Sequence, residues 1–227
     1  MSGNQENQKM NQNIDRLQTG ELYNPADPEL MAMQSQKLDL LYDYNMTRPS
    51  QMERRIEILR ELLAEMGEGS YIEPPFRANW GGRFMHLGKH VYVNMNLTVV
   101  DDDHIYIGDN SMFGPNVTII TGTHPVSPEL RGENPLQYNL PVRIGTNCWI
   151  AAGVTILPGV TIGDNTVIGA GSVVTRDIPA NVVAMGTPCR VIRKIDDNDR
   201  TYYYREREID RDMAAFLRNG CETGGHD

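Results

Sequence analysis

Residues Ile144 to Pro179 read IGTNCW IAAGVT ILPGVT IGDNTV IGAGSV VTRDIP, six units of six residues without interruption. Each unit opens on an aliphatic residue, glycine or alanine is usual at the second place, and the fifth is small or β-branched. The same spacing recovers Ile107, Phe113 and Ile119 upstream, and before them Leu87, Val93 and Val99. Ordinary amphipathic strands alternate with period two and place no fixed aliphatic residue at every sixth position.

A period of six implies a solenoid. Each hexad supplies a short strand and a turn, and three hexads close a triangular coil that returns the chain above its start. One coil alone cannot bury its inward face, but stacked coils share a continuous aliphatic column. The expectation is a mainly β protein built as a parallel β-helix, with Gly145, Gly163, Gly169 and Asn165 at turns that need small residues or positive φ. The general preference for right-handed crossovers does not decide the hand of such a coil.

Two insertions break the rhythm. The step from Val99 to Ile107 is eight, which adds two residues around Asp101-Asp102-Asp103-His104. The step from Ile119 to Ile144 is 25, one hexad plus 19 residues, and this excess falls within the loop 121–141, TGTHPVSPELRGENPLQYNLP. Insertions project from a solenoid without disturbing its core, and binding chemistry gathers there.

Ahead of the repeats the punctuation is helical. Asp27-Pro28-Glu29 reads as N-cap, first helical position and first-turn acid, with Leu30, Leu38, Leu41 and Tyr42 on one side of a helix that stops before Thr47. Ser50 and Glu53 have the spacing of a capping box, followed by Met52, Ile56, Leu59, Leu63 and Met66 at helical intervals, with Gly67 as the stop. This segment is expected to cap one end of the repeat column, whose strand edges are otherwise unpaired. The chain is thus divided into a tail at 1–19, a helical segment at 20–75, the β-helix at 76–195 and a charged tail at 196–227.

Composition narrows the function. The 227 residues carry a formal net charge of −9, which gives nucleic-acid binding no global electrostatic support. No apolar run approaches the roughly 20 residues that span a bilayer, and MSGNQENQKM lacks a secretion core, so a soluble cytoplasmic protein without membrane contact is expected. Cys148, Cys189 and Cys221 are odd in number and widely spaced, against a disulfide framework or zinc pairs. Cys148, at the fifth place of a hexad, reads as buried filler.

Of the five histidines, His124 sits where the long loop leaves its coil, before Pro125, which holds it extended. An imidazole so placed suits general-base work. The runs IYIGDNSMFGPNVTIITGTHPVSPELR from Ile105 and PVRIGTNCWIAAGVTILPGVTIGDNTVIGAGSVVTRDIPANVVAMGTPCRVIR from Pro141 resemble the galactoside and maltose O-acetyltransferases, as does GELYNPADPEL from Gly20. The resemblance extends from about Gly20 to Asp199 and implies a left-handed β-helix, a homotrimer with active sites between subunits, acetyl-CoA as donor, a sugar or glycoside as acceptor, and no metal. It makes His124 the catalytic base, puts Tyr92, Asn94 and Asp102 around the acceptor, and lines the coenzyme A groove with Trp149, Ala152, Ala170, Thr175, Arg176, Arg190 and Arg193. Small residues admit the pantetheine arm, while arginines meet phosphates.

Other readings compete with some of these positions. Asp102, flanked by Asp101 and Asp103, also reads as a solvated turn carboxylate, and small residues such as Ala152 and Ala170 suit the second hexad place regardless. Galactoside-type members carry a carboxylate where this chain has Tyr23-Asn24-Pro25, and a small polar residue where it has Trp80, so galactoside specificity is not implied. Trp80 either stacks on a sugar or fills space. Acetylation of an antibiotic or serine, a non-catalytic scaffold, and a zinc-dependent carbonic anhydrase-like site are the other functional readings. The spacing of His86, His90, His104 and His124 does not fit the last.

Overall fold

A computed structural model describes residues 13–133, 135–210, 212, 213 and 215. Cys221, His226, the first twelve residues and the rest of 211–227 lie outside the described residues.

Three sheets, whose coil strands pair parallel, form the sides of a solenoid of about six turns. The first sheet contains Glu65–Met66, Met85–Leu87, Ile105–Ile107, Val142–Ile144 and Thr161–Ile162. The second runs from Tyr71–Ile72 through Tyr92–Val93, Met112–Phe113, Trp149–Ile150 and Val167–Ile168 to Val182–Gly186 and Cys189–Lys194. Phe76–Ala78, Leu97–Val100, Thr118–Ile120, Thr155–Ile156 and Val173–Val174 form the third. Registers place Leu87, Ile107, Ile144 and Ile162 in one column, Val93, Phe113, Ile150 and Ile168 in the next, and Val99, Ile119, Ile156 and Val174 in the last. None of these twelve residues is more than 3% exposed, so the hexad positions are the core.

The stack starts earlier than the boundary at 76 drawn from sequence. Met66, Ile72 and Ala78 pair with Leu87, Val93 and Val99 and form a further coil that begins at Glu65. Gly67 accordingly belongs to the solenoid and does not stop a helix. The turn residues meet the expectation in its two different ways. Asn165 has φ of 55°, as the turn requires, but Gly145 is not among the positive-φ residues. A Cβ there would lie 2.7 Å from the Asp164 nitrogen of the next coil, so close approach is what demands glycine.

Directly ahead of the coils lie α1 (Pro28–Ser35), α2 (Leu38–Asn45) and α3 (Met52–Leu62). Asp27 caps α1 as expected, its carboxylate accepting from Glu29 N and Leu30 N. The single helix expected there is two, and Tyr42 faces solvent while Tyr44 is fully buried. No capping box forms at Ser50. Gln51 is the N-cap of α3, without a side-chain capping bond. Its inward face is Arg55, Ile58, Leu59 and Leu62, rotated from the stripe anticipated by Met52 and Ile56. Arg55 replaces an aliphatic anchor because its guanidinium reaches Thr47 Oγ1 at 2.8 Å and the Tyr71 hydroxyl at 3.0 Å.

These helices complete the open end of the first coil. The Tyr44 hydroxyl donates to the Ile72 carbonyl. Asn45 donates to Phe76 O at 2.8 Å and accepts from Phe76 N at 2.7 Å, copying a strand's pattern with one amide side chain.

A separate compact unit begins at Lys194. It contains a short helix, α4 (Asp197–Thr201), capped by Asp196, and a hairpin of Tyr202–Tyr204 with Arg207–Glu208.

Candidate active site

The base of the long loop is a two-stranded ribbon, Gly122–Thr123 paired antiparallel with Tyr138–Asn139. His124 follows directly, exposed, at the corner where the chain leaves the third sheet for the first. Its Nδ1 lies 2.8 Å from the Leu136 carbonyl oxygen. A carbonyl only accepts, so the neutral ring carries its proton on Nδ1 and presents the Nε2 lone pair.

Asp102 lies within electrostatic reach of this imidazole, without a direct hydrogen bond to it. The solvated-turn reading fails, because Asp101, Asp102 and Asp103 are 0%, 4% and 2% exposed. Asp102 Oδ1 accepts from Asn79 Nδ2 at 2.9 Å and from Trp80 Nε1 at 2.6 Å. Oδ2 lies against Gly122, where a Cβ would collide with it. Burial raises the Asp102 pKa, while bonds from Trp80, Asn79 and Gln137 and the nearby His124 pull it down.

A network that sequence reading missed joins the N-terminal segment to the loop. Tyr23 and Gln137 exchange backbone hydrogen bonds at 2.9 and 3.0 Å. Gln137 Nε2 also donates to the Tyr23 hydroxyl at 2.7 Å, and Asn139, fully buried, donates to Leu17 O at 2.8 Å. A polar cleft of about 60 Å³ results, lined by Tyr23, Gln34, Asn79, Trp80, Asp102 and Gln137 among others. Trp80 fills space here, 3% exposed and 5.5 Å from the Phe84 ring centroid, and does not offer a stacking face. Asp27 is spent on its helix cap and on Asn13. One signal in the sequence pointed to Asn79 and Trp80: the step from Ala78 to Leu87 is nine, a third insertion.

The remaining positions lie elsewhere on the prism. Tyr92 and Trp149 face outward from the second sheet in one row with Met112, with exposures of 40%, 52% and 51%. Asn94 follows Tyr92 at the corner between the second and third sheets. Among the described residues, no hydrogen bond joins Tyr92 or Asn94 to His124 or Asp102. Ala152 and Ala170 occupy that same corner on successive coils, where Gly171 N donates to Ala152 O at 2.9 Å. Thr175 and Arg176 are exposed on the corner after the third sheet. Arg190 and Arg193 lie on the strand Cys189–Lys194, with Arg190 Nη1 donating to Cys189 O at 2.7 Å.

The two described thiols are shielded from solvent. Cys148 and Cys189 are free and buried, and desolvation pushes both pKa values up. His86 and His104 meet on the first sheet's outer face, Nε2 to Nδ1 at 2.8 Å, but among the described residues no three His, Cys, Asp or Glu side chains are grouped to hold a metal.

Compared with known proteins, residues 16–67 match the maltose acetyltransferase hexapeptide capping motif, and residues 141–176 match the bacterial transferase hexapeptide, six repeats. The chain is similar to the galactoside O-acetyltransferase of Lactococcus lactis, 53% identical over 197 residues that cover 87% of this chain and 95% of that protein. In structure it is similar to a galactoside acetyltransferase in complex with coenzyme A, with a TM-score of 0.84, 44% identity, and coverage of 87% of this chain and 98% of the other. It is also similar to a hexapeptide-repeat acetyltransferase of Vibrio cholerae complexed with acetyl coenzyme A, at a TM-score of 0.74 and 31% identity, covering 82% and 99%.

Proposed function

The chain belongs to the hexapeptide-repeat galactoside and maltose O-acetyltransferase family, and from that premise we propose that it moves the acetyl group of acetyl-CoA to a hydroxyl of a sugar or glycoside. His124 is the general base. A sugar hydroxyl is too weak an acid to attack a thioester unaided, so a base must take its proton as the new carbon–oxygen bond forms. Nε2 receives that proton, the carbon–sulfur bond breaks, and the imidazolium returns the proton to the departing thiolate. The attack is direct, without an acyl-enzyme.

The observation that carries this reading is the tautomer set by Leu136, which leaves Nε2 of the exposed His124 as an acceptor. The Asp102 carboxylate holds the acceptor through another hydroxyl, and Tyr92 and Asn94 contribute to the same acceptor site. On the donor side, Trp149, Ala152, Ala170, Thr175 and Arg176 form the coenzyme groove, and Arg190 and Arg193 meet its phosphates.

We further infer a homotrimer with sites between subunits. Two features support it: among the described residues the outward-facing Tyr92 makes no hydrogen bond to His124 or Asp102, and the row Tyr92, Met112 and Trp149 leaves apolar surface uncovered. No helix among the described residues is long and apolar enough to cross a membrane. A cytoplasmic location suits a donor thioester made inside cells.

Incubation with acetyl-CoA, a panel of sugars and a free-thiol reagent tests the activity. Thiol release matched by acetylated sugar is expected. Release only with serine or an aminoglycoside would move the acceptor out of the sugar class, and no release with any acceptor would leave a scaffold.

A further inference from the structure

The carboxylate of Asp102 has two oxygens in different circumstances. Oδ1 already accepts from the Trp80 indole and the Asn79 amide, which occupy its two lone-pair directions. Oδ2 faces the loop at Gly122 and Gln137. The indole cannot swing away from this contact. Trp80 N donates to Asp101 Oδ1 at 2.7 Å and Gly82 N to Asp101 Oδ2 at 2.9 Å, which clamps the backbone of the turn. The ring itself is packed with Leu17, Tyr23 and Leu30.

We propose that Trp80 is a positioning residue for the acceptor: with Asn79 it saturates Oδ1 of Asp102, so that an acceptor hydroxyl reaching this carboxylate meets Oδ2, whose remaining capacity, shared with Gln137, takes a single hydroxyl. Asp102 therefore does not chelate two neighbouring hydroxyls, as a carboxylate with both oxygens open does. The acceptor class that fits is a glycoside recognised here through one hydroxyl, its other hydroxyls being read elsewhere. The proposal rests on the acetyl-transfer reading of this site.

The test compares wild type with Trp80→Phe, which keeps an aromatic ring but donates nothing, and Trp80→His, which keeps a ring N–H. Methyl β-galactopyranoside and methyl α-glucopyranoside, each with its mono-deoxy derivatives, serve as probes. Loss of a hydrogen bond to a charged group predicts an acceptor KM raised about 10- to 100-fold in Trp80→Phe, with kcat at saturation and the acetyl-CoA KM near wild type. Deleting one particular hydroxyl should cost wild type a similar factor and cost Trp80→Phe nothing more, and Trp80→His should recover part of the loss. An unchanged acceptor KM in Trp80→Phe overturns the proposal, as does a penalty abolished at two adjacent hydroxyls. Should Trp80→Phe fail to fold, Asn79→Ala removes the companion donor and must show the same single-hydroxyl pattern. His124→Ala run alongside separates the two failures, since full turnover in that variant counts against the site reading itself.

Discussion

The Nδ1 of His124 and the backbone carbonyl of Leu136 lie 2.8 Å apart across the loop, twelve residues from one another in sequence. A backbone acceptor fixes the tautomer with no carboxylate partner, so the base takes up its proton without a buried counter-charge in direct contact. The ring is exposed, and its removal leaves no core cavity.

His124→Ala is therefore expected to fold and to bind acetyl-CoA normally while turnover falls about 10²–10⁴-fold, the usual contribution of a positioned base. Steady-state rates at saturating sugar and acetyl-CoA, with circular dichroism as control, check this. A histidine that only orders the loop would instead change acceptor KM and spare turnover.

Arg190→Ala and Arg193→Ala should each weaken acetyl-CoA about 10-fold or more, the value of a charge-assisted bond to phosphate, with acceptor KM little changed. Donor KM and equilibrium binding of coenzyme A are the readouts. Unaltered donor affinity in both variants removes these arginines from the groove.

Met112 lies between Tyr92 and Trp149 on the outward row of the second sheet and is 51% exposed. Met112→Glu places a charge in the inferred subunit contact and should shift sedimentation from trimer to monomer with loss of activity. A wild-type protein that sediments as a fully active monomer would refute both the trimer and the shared site.

Asp101 is fully buried, and desolvation pushes its carboxyl up to about 6 against the pull of the Trp80 and Gly82 amides. The folded state then holds this proton more tightly than the unfolded chain, whose aspartates titrate near 3.9. The contribution to stability is fully present below about pH 4, is lost as pH rises through about 6, and amounts to about 2–3 kcal/mol. Urea unfolding of wild type should show that decline between pH 4 and 7, and Asp101→Asn, which cannot ionise, should be flatter. Parallel profiles would contradict the assignment.

Tyr44→Phe removes the hydroxyl that satisfies the Ile72 carbonyl at the start of the coil stack. A buried acceptor left without its donor should cost about 1–3 kcal/mol, read as a lower urea midpoint with activity retained under native conditions. No change in midpoint would mean that another donor, or water, reaches Ile72.

Much of the fold was legible because the hexad pattern repeats one local rule. An aliphatic residue at every sixth place can bury itself only by stacking on its counterpart one coil away, so Leu87 to Val174 announced the columns that the registers confirm. The first coil was hidden because Met66, Ile72 and Ala78 are set apart by the insertion at Asn79–Gly82 and sit directly after a helix. The inward face of α3 was misread for a different reason: Arg55 is buried by partners on Thr47 and Tyr71, which no apolar periodicity signals.

The loop position of His124 and its distinctive neighbours were present in the sequence, and so were the family resemblance and the acyl-transfer chemistry that it implies. What only tertiary structure decided is where the polar side chains point. Asp102 is separated from Asn79, Trp80, Gln137 and His124 by segments of the chain, and it became a buried, directed carboxylate when successive coils and the loop ribbon brought those donors together. The hexad rule governs what faces inward. It says nothing about contacts among residues on the outside of the coil, because those depend on which insertions fold back over which corner.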